Sequence, residues 1–105
     1  MSGLEKIVVV NNTIQLQPCS LYLTHFTAIL NDHHVCPESW WIAAGKPVQS
    51  PLKELCPTCH YDVHAAIDGI IKGQDISHIP YRQRMLAQEA FPIAAANGLT
   101  PALTL

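Results

Sequence analysis

His60 and His64 stand four residues apart in a segment where Val63, Ala66, Ile67, Ile70 and Ile71 recur at three- and four-residue steps before Gly73. That pattern predicts a helix over 60–72 closed by a glycine cap. Positions i and i+4 of a helix lie one above the other, so two imidazoles there can grip one metal ion. Directly upstream runs Leu55-Cys56-Pro57-Thr58-Cys59, and about twenty residues before it His33-His34-Val35-Cys36-Pro37. The adjacent histidines can add a third ligand and leave a free base beside the ion.

The chain has 105 residues, enough for one compact domain and too few for two. Apolar residues make up 49% and can form a core, which a bound metal would reinforce at this size. No stretch reaches the roughly 20 apolar residues of a membrane span. The run Ile7 to Val10 is too short for a signal-peptide core and follows no basic segment, so a cytoplasmic location is expected. In a reducing compartment the four cysteines point to metal ligands or free thiols before disulfides. The net charge of −2 argues against binding nucleic acid by bulk electrostatics. A divalent cation would supply positive charge locally, where a phosphate must sit.

Along the chain, Lys6–Val10 and Thr13–Gln17 flank the turn signal Asn11-Asn12 and predict a hairpin. Leu21 to Leu30 reads as one long strand or two short ones leading into the histidine pair, ended by Pro37. Residues 38–50 read as a loop with helical tendency near Trp40 to Ala44. Leu52 to Leu55 is a short strand candidate, and Cys56-Pro57-Thr58-Cys59 reads as a knuckle-like turn. Asp75 to Pro80 is a linker. Tyr81 to Ala96 reads as a second helix, kinked or broken near Pro92, with Met85, Leu86, Ala90 and Ile93 on its apolar side. Asn97-Gly98 closes it, and an extended tail follows.

This order of a histidine pair, a loop, a strand and a histidine-bearing helix resembles the motif of the HNH (ββα-metal) nucleases. It is similar to the His-His plus His-x-x-x-His version found in DNase colicins. Leu55-Cys56-Pro57-Thr58-Cys59-His60 is similar to the zinc-knuckle version in phage and bacterial endonucleases. The match covers about residues 31–72, with 79–105 as a helical extension of a single domain. The resemblance implies an α+β fold: a ββα-metal core, an N-terminal hairpin and a C-terminal helix. It implies His33, His60 and His64 as metal ligands and His34 as general base. A free imidazole has a pKa of about 6.5 and can accept a proton at neutral pH. In a regular strand His33 and His34 would point to opposite faces, so the strand is expected to end or twist at the pair.

The implied activity is hydrolysis of DNA phosphodiester bonds, nicking with little sequence preference. For phage-encoded chains this short, the resemblance implies work beside the packaging terminase in the host cytoplasm. Three imidazoles suit Zn²⁺, Ni²⁺, Co²⁺ or Mn²⁺ better than Mg²⁺. Pro51, with Ser50 beside it, stands where the family usually has an Asn that pins the loop. Zinc-knuckle members carry two Cys-x-x-Cys pairs. Here Cys56 and Cys59 form one, and Cys19 and Cys36 are the remaining candidates for a structural zinc.

Several residues have a plainer reading. His25 and His78 read as a strand-face and a linker histidine. Trp40-Trp41 reads as core packing ahead of a wedge into DNA. Lys46, Lys53, Lys72, Arg82 and Arg84 are either phosphate contacts or a solvated face. Cys56-Pro57-Thr58-Cys59-His60 also matches the c-type haem attachment motif, and Cys-x-x-Cys at a helix start matches a redox pair. Haem attachment requires export and leaves His33, His34 and His64 without a role. The principal competitor to the nuclease is a non-catalytic zinc module that binds protein or DNA.

Overall fold

The computed structural model describes residues 5–22 and 24–105. Among them lie three short antiparallel sheets and a set of helices, a small α+β fold. Strand β1 (Glu5–Lys6) pairs with β6. The hairpin β2 (Val8–Val10) and β3 (Thr13–Gln15) pairs Val10 with Thr13 across Asn11-Asn12. Both asparagines have positive φ, 49° and 63°, as a two-residue hairpin turn matched to the strand twist requires.

Of the two readings of Leu21–Leu30, one long strand or two short ones, it is two short strands that form, β5 (Phe26–Thr27) and β6 (Leu30–His34). β5 pairs with β4 (Gln17–Pro18) in a small ribbon. Pro18 and the local bond from His25 N–H to the Tyr22 carbonyl (2.9 Å) turn the chain there.

β6 lies between β1 and β7 (Leu52–Leu55). The β6–β7 register sets His33 opposite Lys53 and His34 opposite Leu52. The ladder therefore runs as far as His34, the last residue of β6, so the strand ends at the histidine pair as expected. Between these strands sits α1 (Glu38–Ala43), where only a loop with helical tendency was expected. Trp40 and Trp41 are buried on it, Trp40 donating to the Ala102 carbonyl (2.8 Å) and Trp41 to the Cys36 carbonyl (3.3 Å). That is core packing, not a wedge.

The knuckle-like turn is also revised. Helix α2 runs Pro57–Lys72, so Pro57 to Cys59 form its first turn and Cys56 is its N-cap. Proline suits the first helical position because its missing N–H would be unpaired anyway. Gly73 closes the helix with φ +68°. Val63, Ala66 and Ile67 are fully buried against Leu55, the tryptophans and the next helices. The expected second helix divides into α3 (Tyr81–Gln88) and α4 (Ala90–Ala96), breaking at Glu89. Pro92 cannot donate back toward Gln88, which places the break one turn ahead of it.

Candidate metal centre

His33 is completely buried, projecting from β6 onto the first two turns of α2. Its ring sits edge-on to His60 (centroids 5.2 Å apart) and to His64 (5.1 Å). The Nε2 atoms of His60 and His64 are 3.0 Å apart. Two imidazole nitrogens sharing one ion at about 2.0–2.1 Å stand roughly 2.9–3.4 Å from each other, depending on coordination geometry. One ligand atom from each of His33, His60 and His64 falls within 4.8 Å of the others. Neither ring nitrogen of His33 has a hydrogen-bond partner. Leaving a buried polar atom unsatisfied costs about 1–3 kcal/mol, which a bound cation would remove.

The electrostatics agree with a ligand set. Burial first, then the neighbouring His64, His60 and His34, pushes the His33 pKa down to about 2. Burial and His60 bring His64 to about 4, against a partial opposing pull from Asp68. His60 is lowered by burial and then by His34. Burial disfavours the charged form of all three imidazoles, and the neutral form is the one that ligates a cation.

The chain's end supports His64 from behind. Thr104 Oγ1 lies 3.1 Å from His64 Nδ1 and donates to Asp68 Oδ1 at 2.9 Å. The backbone N–H groups of Thr104 and Leu105 also bond the Asp68 carboxylate. The extended tail thus returns to α2, and it carries a supporting residue that spacing alone could not reveal. Nδ1–H donating to Thr104 leaves Nε2 as the ligand atom.

His34 lies outside the three-histidine group and is half-buried, its Nδ1 3.9 Å from Glu38 Oε2. A cleft of about 240 Å³, lined by Pro37, Glu38, Ser39, His64 and Thr104 among others, opens beside the site. The loop between β6 and β7 is pinned by two hydrogen bonds. Ser50 Oγ accepts from Cys36 N–H (2.8 Å) and the Pro51 carbonyl accepts from Val35 N–H (2.9 Å).

The cysteines divide. Cys19, Cys56 and Cys59 converge, their sulfurs within 4.8 Å of one another. Cys36 does not join them. It packs in the core beside Trp41, and burial raises its thiol pKa. Burial also raises the Cys59 thiol, as do its neighbours Cys56 and Cys19. At Cys19 burial pushes upward, yet hydrogen bonds from the Cys56, Leu21 and Tyr22 backbone hold the thiol below its usual value. His25 is no bystander, since its Nδ1 lies 3.9 Å from Cys59 Sγ. His78 is exposed, as its linker position suggested.

The basic residues scatter. Lys53 and Lys72 are exposed. Arg82 donates to the Leu21 carbonyl at 2.6 Å and covers the Tyr22 ring, and Arg84 lies over Tyr81. Lys46 donates to the Asn97 carbonyl. No helix among the described residues is long and apolar enough to cross a membrane. Comparison with protein-family models, curated proteins and solved structures finds no match to the chain, so its chemistry is read from its own residues.

Proposed function

We propose that the chain is a metal-dependent endonuclease of the HNH type, with β6, β7 and α2 as its ββα-metal unit. The observation that carries this reading is His33, fully buried with both ring nitrogens unbonded and facing His60 and His64. A side chain so placed is explained by a cation that takes its lone pair. When bound, a divalent ion there supplies Lewis acidity and positive charge for a phosphate oxygen.

The chain's own residues do the rest. His33, His60 and His64 hold the ion, and Thr104 with Asp68 orients His64. His34, in the same strand but outside the ligand group, accepts the proton of the attacking water. Attack on phosphorus breaks the bond to the leaving 3′ oxygen of a DNA strand. Lys53 and Lys72 are exposed candidates for phosphate contacts. The reading extends to nicking with low sequence preference in the cytoplasm and, on the resemblance to small phage chains, to DNA packaging beside a terminase.

A non-catalytic zinc module is the second reading, favoured by the convergence of Cys19, Cys56 and Cys59. Supercoiled plasmid incubated with the protein and Mg²⁺, Mn²⁺, Ni²⁺ or Zn²⁺, against an EDTA control, tests for cleavage. Metal-dependent nicking that His34→Ala abolishes supports the nuclease. Nicking that persists in His34→Ala refutes the assigned base. No nicking with any metal favours the binding module.

A further inference from the structure

We propose that Cys19, His25, Cys56 and Cys59 form a second metal centre, a structural Cys3His zinc site separate from the three-histidine group. It does not depend on the nuclease reading. Three buried sulfurs already converge, and a tetrahedral zinc asks for a fourth ligand. His25 Nδ1 stands 3.9 Å from Cys59 Sγ. Sulfur and nitrogen ligands of one tetrahedral zinc lie roughly 3.6 Å apart, so closure needs only a few tenths of an ångström. His25 is an exposed residue, so water can serve its second ring nitrogen when Nδ1 binds.

The fold prepares this site from two directions. The backbone bond from Cys19 N–H to the His25 carbonyl (2.9 Å) closes the ribbon loop and brings both residues to one place. Cys56 and Cys59 come from the N-cap and first turn of α2, where the helix's positive end favours thiolates. Three thiolates, one neutral imidazole and Zn²⁺ carry a net negative charge, and N–H donors are already aimed at it. Cys59 N–H donates to Cys56 Sγ at 3.4 Å, and Gln83 Nε2 donates to Cys59 Sγ at 3.4 Å.

Gln83 is buried and held by Tyr22, whose hydroxyl donates to Gln83 Oε1 at 3.0 Å. The Tyr22 ring in turn packs on His25 with centroids 4.7 Å apart. These supports surround the ligands as outer partners surround zinc centres elsewhere. The ion would fasten the β4–β5 ribbon to the N-terminus of α2, a long-range staple of the kind a small chain gains from.

The test is Co²⁺ added to the metal-free, reduced full chain, read by absorption. The proposal expects thiolate-to-cobalt charge-transfer bands with tetrahedral ligand-field bands, which a site of histidines alone cannot give. His25→Ala should weaken this cobalt binding by at least about tenfold. His25→Cys should keep a tetrahedral spectrum shifted toward four thiolates, and Cys36→Ser should change nothing. If His25→Ala does not fold, recovery in His25→Cys supports the proposal and its failure overturns it. It is also overturned by an absent thiolate band, by a His25→Ala spectrum and affinity equal to the parent's, or by loss of the bands in Cys36→Ser.

Discussion

His60 Nε2 and His64 Nε2 meet at 3.0 Å, one helical turn apart, with the buried ring of His33 edge-on to both. In a metal-free chain one of these nitrogens donates its proton to the other. With an ion present, both lone pairs turn to the same point. His60→Ala and His64→Ala should each lower metal affinity by at least about 10–100-fold, measured by calorimetric titration of Mn²⁺ or Zn²⁺ into the folded protein. Equal affinity in either variant would remove that residue from the ligand set.

His34→Ala separates chemistry from binding. The side chain leaves His33, His60 and His64 in place, so metal affinity should stay within about twofold while the nicking rate falls by about 10²–10⁴. Gel assay of plasmid forms beside the metal titration reads both quantities on one preparation.

Acid should weaken the metal-free fold through the same histidines. The pKa is pushed to about 2 at His33 and about 4 at His64, both below the ordinary histidine value. Between pH of about 6.5 and those values the unfolded chain binds protons that the folded chain refuses, so stability falls as pH falls. The slope is at most about 1.4 kcal/mol per pH unit for each histidine. Urea midpoints of metal-free protein at pH 7 and pH 5 check it, with a lower midpoint expected at pH 5. Bound metal should oppose unfolding, adding about 2.7 kcal/mol at a free concentration 100 times its Kd.

Thr104→Val removes the hydroxyl that joins His64 Nδ1 to Asp68 while keeping the side chain's shape. Metal affinity should drop about 10–100-fold with little change in melting temperature. An unaltered affinity would show that the tail merely covers the helix.

Ser50→Ala removes the acceptor of the Cys36 N–H, one of two bonds that pin the loop after His34. A loss of about 1–3 kcal/mol in chemical denaturation is expected, with slower nicking at unchanged metal affinity. Ser50→Asn, which restores an acceptor, should recover part of both.

Much of this molecule follows from local pattern. Asn11-Asn12 between β-branched runs yields the first hairpin because few residues accept positive φ so readily. The apolar steps from Val63 to Ile71 and the cap at Gly73 mark α2, whose turn length alone brings His60 onto His64. Leu52–Leu55 is a strand as its composition suggests.

The remaining features depend on contacts between distant segments. That the ladder extends to His34, where β6 ends, and turns the His33 ring onto the helix is set by pairing with Leu52 and Lys53. The sequence spacing of the cysteines favours no partner for Cys56 and Cys59. Packing puts Cys36 under Trp41 and swings Cys19 and His25 together through a backbone bond inside the ribbon. Thr104 reaches His64 across a sequence distance of 40 residues. Periodicity reports which face of an element is apolar, whereas convergence of side chains from separate elements is a property of the closed three-dimensional core.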